Sequence, residues 1–176
     1  RHLSGRDFFM QDLILLSDGS VHAQSKIGYG AYLAVPDPGL SLQELISHVR
    51  VKRFTQTSST KLELQTLLWA LSDTQVSGRK VIICTDSQNI IDLPGRREQL
   101  ERKAYRSIKN RLLNNHELYQ DFYRLTDLLD YELVKVHGHL ASKQKEDIDR
   151  IFTLVDRASR QALRAESSVN GPLGLD

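Results

Sequence analysis

Two acidic residues in this sequence follow apolar segments that have the character of buried strands. Asp18 comes after the run 13–16, and Asp86 comes after the run 81–84. If these segments are parallel neighbours, both carboxylates project from the same edge of a sheet, where ligands of open α/β sheets gather. Alone, Asp18 would be interpreted as part of a turn and Asp86 as a residue before a helix N-cap. Their pairing favours a functional site.

Two further acids fall in predicted helices. Glu63 is placed in the first turn of a helix, from which it can lean over the sheet edge; the simpler interpretation is a favourable interaction with the helix dipole. Asp156 shares a helical stripe with Phe152, and a carboxylate turned toward a core is costly unless it is paired or binds a metal. Arg160, four residues later, offers an ion pair as the structural alternative.

Four carboxylates at one place would repel each other, and a divalent cation is the simplest way to neutralise them. Ligation by oxygen alone suits Mg²⁺, or Mn²⁺, better than zinc. Two such cations about 4 Å apart stabilise both the attacking water and the departing oxygen of a phosphodiester. The acids therefore predict metal-dependent phosphodiester hydrolysis.

A histidine pair, His137 and His139, flanks Gly138 after the last predicted strand. A histidine on such a loop can transfer protons near neutral pH. Zinc binding is the alternative, but it ranks lower because only two imidazoles are present there and a further ligand is not identifiable.

The elements that would position these groups form an α/β domain. A fourth strand separated from the third by a helix predicts a parallel crossover, after a meander of three antiparallel strands. The result is a five-stranded mixed sheet flanked by helices. The predicted strands are 13–16, 28–35, 47–56, 81–85 and 131–137, and the predicted helices are 59–76, 97–114, 117–129 and 143–166.

Size and composition point to one globular domain. The chain has 176 residues, of which 40% are hydrophobic and 26% charged, and it contains no apolar run long enough to cross a bilayer. We expect an N-terminal arm over 1–10, a domain over 11–167 and a tail over 168–176. The single cysteine, Cys84, lies in an apolar run and favours a reducing, cytoplasmic setting. A monomer is the default expectation.

A basic segment over 96–111 stands out against a net charge of only +2. It is either a solvated helix face or a nucleic-acid contact. Its basic residues are Arg96, Arg97, Arg102, Lys103, Arg106, Lys109 and Arg111.

Taken together, the ordered segments resemble type 1 ribonuclease H over nearly the whole chain. Any one of them is weak alone, but the ordered set is specific. The matching segments are Leu15-Leu16-Ser17-Asp18-Gly19-Ser20, Gly28-Tyr29-Gly30-Ala31, Leu62-Glu63-Leu64, Thr85-Asp86-Ser87-Gln88, Val136-His137-Gly138-His139 and Val155-Asp156-Arg157-Ala158.

The resemblance implies an endonuclease that hydrolyses the RNA strand of an RNA–DNA hybrid with two Mg²⁺ ions, leaving 5′-phosphate and 3′-hydroxyl ends. It implies Asp18, Glu63, Asp86 and Asp156 as metal ligands and His139 as the mobile histidine, with His137 where the family often has lysine. The residues expected to contact the substrate are Gly19, Ser20, Ser59, Thr60, Gln88, Arg102, Lys103 and Arg106.

Three features depart from the family pattern. Ser58-Ser59-Thr60 stands where many members have two asparagines that read the minor groove, the tryptophan-rich basic protrusion is not recognisable, and the loop before Asp156 is long. The alternatives that remain open are a ribonuclease H domain of a reverse transcriptase, a recombinase-type nuclease and a catalytically silent hybrid-binding module. All four acids are present, which favours an active nuclease.

Overall fold

The structure is a computed structural model that describes residues 12–35, 39–136 and 143–169, with side chains described from residue 147 in the last range. Its five strands are β1 (Leu13–His22), β2 (Ile27–Val35), β3 (Arg50–Phe54), β4 (Lys80–Thr85) and β5 (Asp130–Lys135). Its five helices are α1 (Leu42–His48), α2 (Ser59–Asp73), α3 (Gln88–Arg102), α4 (His116–Thr126) and α5 (Lys143–Val169).

The strands form one mixed sheet in the order β3-β2-β1-β4-β5. The pairs β1–β2 and β2–β3 are antiparallel, whereas β1–β4 and β4–β5 are parallel. The predicted fold class, a five-stranded mixed sheet flanked by helices, is therefore confirmed. The parallel arrangement brings the carboxyl ends of β1, β4 and β5 to one edge of the sheet.

Helices cover both faces of the sheet. Successive side chains of β1 point to opposite faces, so each face contributes to a separate core. Leu15 belongs to a core shared with α2, α3 and α4, which includes Leu67 and Phe122. Leu16 belongs to a second core shared with α1 and α5, which includes Phe152. This second core places α5 across the face that carries the even-numbered residues of β1, among them Asp18.

The prediction of a strand over 47–56 was wrong in its first part. A short helix, α1, precedes β3, and it begins with a capping box in which Ser41 and Glu44 each bond the other's backbone N–H. A serine followed by glutamate three residues later is a signal for the start of a helix. The prediction instead followed the apolar spacing of Val49, Val51 and Phe54, which is typical of a strand.

Helix α3 also begins earlier than predicted. It starts at Gln88 after the N-cap Ser87 and continues through Pro94, whereas the prediction placed its start near Arg97. After Arg102 the chain leaves the helix, because Ala104 and Tyr105 both adopt positive φ angles of 51° and 57°. Within the described residues, no helix is both long and apolar enough to cross a membrane.

Candidate active site

Asp18 and Asp86 lie at the same edge of the sheet, as the sequence predicted. The last parallel pair between β1 and β4 joins Leu16 to Cys84, and Asp18 and Asp86 are each two residues further along the chain. The predicted turn at Asp18 is nevertheless wrong, because β1 continues to His22 and Asp18 pairs with Ala31 of β2. Its backbone is thus held by a strand ladder rather than by a loop.

Burial and neighbouring charge make Asp18 an unusual carboxyl group. Its exposed fraction is only 9%. Burial, the charge of Asp86 and contact with the Asp156 carboxyl together raise the pKa of Asp18 to about 8, against a smaller opposing effect of the Gly19 backbone N–H. Burial and the neighbouring acids therefore favour the protonated form of Asp18.

Glu63 reaches the same edge from α2. Leu62 packs directly against the β1–β2 hairpin, where a Cβ on Gly19 would come within 2.8 Å of its side chain and a Cβ on Gly28 within 2.7 Å. These two glycines therefore let α2 approach the strands closely. Glu63 is the fifth residue of α2, not in the first turn as predicted.

The Glu63 carboxylate is half-buried and accepts a hydrogen bond of 2.6 Å from Ser87 Oγ. Burial raises the pKa of Glu63, the Ser87 hydrogen bond lowers it, and the charge of Asp86 raises it. Asp86 thus acts on both Asp18 and Glu63. The Ser87 contact joins residues 24 positions apart, and the sequence held no signal for it.

Asp156 of α5 contacts Asp18 and also forms the ion pair that was the structural alternative. Its Oδ1 lies 3.0 Å from Arg160 Nε, and its side chain is 31% exposed. One turn further along α5, Ser159 Oγ lies 3.0 Å from Ser20 Oγ. The Asp156–Asp18 and Ser159–Ser20 contacts link α5 to β1 on the face that carries Asp18.

A metal site fits this donor set in its chemistry. The ligands are carboxylate oxygens, and within the described chain Asp18, Glu63 and Asp86 form no ion pair with a basic residue. Burial and the charge of Asp86 raise the pKa of Asp18, and a hard divalent cation would supply the positive charge that offsets this crowding. Among the described residues, no three acidic, histidine or cysteine side chains lie close enough together to hold a metal ion as they stand.

His137 and His139 lie outside the described residues. The strand that precedes them, β5, ends at Lys135, which pairs with Thr85 immediately before Asp86. The choice between the two histidines, and the role of either, stays a prediction.

The other residues expected to contact substrate at this edge already have partners or packing roles. Gly19 provides space for Leu62, and Ser20 is engaged with Ser159. Gln88 is exposed, and its amide accepts from Lys135 Nζ at 2.5 Å and donates to Asp92 Oδ1 at 2.8 Å. The substrate roles of these three residues stay predictions.

Ser59 and Thr60 are exposed at the start of α2. The N-cap of that helix is Ser58, whose Oγ accepts from Lys61 N at 3.3 Å. Ser59 and Thr60 are therefore the first two residues of α2 and not its N-cap. Their hydroxyl groups are not required for the cap and are accessible from solvent.

The basic segment divides into two parts. Arg97 is neutralised, because its guanidinium bonds Asp127 at 2.5 Å and Glu101 at 3.0 Å. Arg102 is exposed at the end of α3. Four of the remaining basic side chains line a surface cavity of about 490 Å³, without an acidic residue in its described lining. That lining is Arg96, Gln99, Leu100, Lys103, Arg106, Ser107, Ile108, Lys109 and Leu113.

Comparison with known protein families agrees with this geometry. The family model described as RNase H matches residues 10–160, a range that contains all four acids and both histidines of the predicted site. The chain belongs to the RNase H family. Membership of this RNase H chain supports a nuclease that acts on nucleic acid.

Among solved structures, this RNase H chain is similar to one described as the foamy viral protease-reverse transcriptase in complex with dsDNA. The two share 12% sequence identity with a TM-score of 0.62, and the match covers 86% of this chain and 96% of that chain. At this identity the likeness concerns the fold. A search of curated proteins gives no significant match.

Proposed function

We propose that this RNase H chain is an endonuclease that hydrolyses the RNA strand of RNA–DNA hybrids, leaving 5′-phosphate and 3′-hydroxyl ends. The observation that supports this function most is that Asp86 lies near enough to both Asp18 and Glu63 to raise their pKa values, while Asp18 also bonds Asp156. The four acids belong to four separate parts of the chain, namely β1, α2, the end of β4 and α5. A structural ion pair needs only one acid and one base, so it does not explain why four acids are used.

These four carboxylates would hold the cations. When bound, two Mg²⁺ or Mn²⁺ ions would activate the attacking water and stabilise the departing oxygen of the scissile phosphodiester. A bound cation would offset the charge of Asp86 and so lower the pKa of Asp18, which would favour the carboxylate form that binds a metal. We assign proton transfer during cleavage to His139, with His137 as the alternative.

The basic cavity is the proposed contact with the hybrid backbone. Lys103 and Arg106 both line it and are exposed, and the loop that carries Arg106 is closed by an antiparallel bridge between Arg106 and Leu112. Phosphate contacts from such residues supply affinity without sequence preference. The 2′-hydroxyl groups of the cleaved strand distinguish RNA from DNA. The buried free thiol of Cys84 is compatible with the proposed cytoplasmic setting.

The decisive experiment is cleavage of an end-labelled RNA–DNA hybrid with Mg²⁺, Mn²⁺ or EDTA, beside double-stranded DNA and double-stranded RNA of the same sequence. We expect metal-dependent cutting of the RNA strand of the hybrid alone. Binding without cutting would instead support a silent hybrid-binding module, and cutting of DNA would support a recombinase-type nuclease.

Neutralising the cavity should weaken hybrid binding and reduce its salt dependence. For the double variant Lys103→Gln/Arg106→Gln, the slope of log affinity against log salt should fall by about two, since each lost phosphate contact changes it by roughly 0.9. The measurement is fluorescence anisotropy of a labelled hybrid over a series of salt concentrations.

The matched control is Arg79→Gln/Lys80→Gln. Lys80 begins β4 at the end opposite to Asp86 and pairs with Glu132, so this variant removes the same charge away from the proposed site. We expect it to keep the wild-type slope. An unchanged slope in the cavity variant would show that the basic segment is a solvated surface.

A further inference from the structure

The hydroxyl group of Ser87 stands between two elements of the site. Ser87 is 4% exposed. Its Oγ accepts a hydrogen bond from Ile90 N at 3.3 Å and donates one to Glu63 Oε2 at 2.6 Å. Its own backbone N–H donates to Thr85 Oγ1 at 3.1 Å, which holds the residue at the end of β4.

Only one of these bonds is needed to cap α3. Aspartate and asparagine accept from a backbone N–H of the first turn as well as serine does, and glycine, which has no side-chain acceptor, costs the helix little at this position. The cap uses only the oxygen of Ser87 as an acceptor, so its hydroxyl proton is free to form a second hydrogen bond. It is directed instead at Glu63, on a different helix, and the short distance is that of a bond to a charged acceptor.

The direction of this bond is well determined by the surrounding backbone. Ser87 is anchored on one side by Thr85 and on the other by the first turn of α3, so its Oγ has little freedom to move away from Glu63. Glu63 itself is half-buried beside Asp86, whose charge disfavours a second carboxylate there. A fixed donor is the means by which the Glu63 carboxylate is held at the edge.

We propose that Ser87 is a positioning residue, which orients the Glu63 carboxylate toward Asp86 and so prepares the acidic edge to bind a divalent cation. This inference rests on the proposed function, since it gives the cation a role at that edge. Ser87 acts through Glu63 and is not itself assigned contact with the substrate.

The test separates the two roles of Ser87 by comparing Ser87→Gly, Ser87→Ala and Ser87→Thr. Glycine keeps most of the capping ability but lacks the hydroxyl, alanine lacks both, and threonine keeps both. Each variant is titrated with Mg²⁺ alone, without nucleic acid, and binding is followed by calorimetry. Thermal unfolding of each variant in EDTA reports the capping role separately.

We expect Ser87→Gly and Ser87→Ala to bind Mg²⁺ about tenfold more weakly than wild type, as is typical for the loss of a hydrogen bond to a charged group, whereas Ser87→Thr should bind nearly as well as wild type. In EDTA, Ser87→Gly should melt close to wild type and Ser87→Ala at a lower temperature. In hybrid cleavage, the glycine variant should need more Mg²⁺ for half-maximal rate than the threonine variant.

Wild-type affinity for Mg²⁺ in Ser87→Gly would overturn the positioning role, and so would weak binding by Ser87→Thr or the absence of Mg²⁺ binding by the wild-type protein. Failure of the proposed function has a different signature. In that case the wild-type protein would bind Mg²⁺ in a Ser87-dependent way and yet leave the hybrid uncut.

Discussion

Replacing Asp86 by asparagine is expected to lower hybrid cleavage by about 10³-fold or more, which corresponds to roughly 4 kcal/mol of lost transition-state stabilisation. Asp86 is exposed, so the substitution should leave the fold and the melting temperature nearly unchanged. The loss arises because Asp86 is the acid that influences both Asp18 and Glu63, and asparagine removes its negative charge and one anionic ligand. The measurement is the single-turnover cleavage rate at saturating Mg²⁺.

The control for this prediction is Asp92→Asn, the same change at an exposed position of α3. Asp92 accepts a hydrogen bond from Gln88, and the asparagine side-chain oxygen can still accept it. We expect this variant to cut at the wild-type rate and both variants to bind the hybrid. Comparable cleavage by Asp86→Asn and wild type would reject the assignment of the metal site.

Replacing Asp18 by asparagine should abolish cleavage and, at the same time, stabilise the cation-free protein at neutral pH. The folded pKa of Asp18 is about 8, above the ordinary value of 3.8 that applies in the unfolded chain. The folded state therefore binds this proton more tightly. Wild-type stability should decrease as pH rises from about 4 to about 8, by at most about 1.4 kcal/mol per pH unit from this group.

Asparagine cannot ionise, so the variant should lack this decrease and be the more stable protein near pH 8 in EDTA. Urea unfolding at several pH values between these limits measures the difference. Asp12→Asn, at an exposed aspartate just before β1, should keep the wild-type pH dependence. Parallel pH profiles for Asp18→Asn and wild type would contradict the buried, charge-crowded environment of Asp18.

A further consequence concerns added Mg²⁺. Because the cation would relieve the repulsion around Asp18, it should stabilise wild-type protein more at high pH than at low pH, and it should stabilise Asp18→Asn less than wild type. Inactivity together with higher stability is the expected result for a functional carboxylate. A purely structural carboxylate would instead lose stability when replaced.

The placement of the candidate acids was largely predictable because each acid has a local marker. Asp18 and Asp86 follow apolar runs, Glu63 lies near the start of an amphipathic helix, and Asp156 lies on a helical stripe. The helix before β4 predicted that β1 and β4 are parallel. Parallel neighbouring strands have their carboxyl ends at the same edge of the sheet. The fold class and the expectation of one acidic edge depend only on such local patterns.

The errors arose where local signals compete with long-range pairing. Residues 17–20 have the composition of a turn, yet β2 supplies hydrogen-bond partners for them and keeps β1 extended as far as His22. The strand predicted over 47–56 begins only at Arg50, because the helix that the capping box at Ser41 starts continues to His48. In both places the neighbouring backbone decided the conformation.

The sequence by itself determined the five strands, four of the five described helices, and which candidate acids come to the sheet edge, because strand and helix periodicity and chain connectivity are local properties. Only the tertiary structure decided how those acids interact. The high pKa of Asp18, the Arg160 partner of Asp156 and the Ser87 bond to Glu63 depend on burial and on contacts between distant residues. Such contacts arise from the packing of α2, α3 and α5 around one edge, and neither spacing nor composition specifies them.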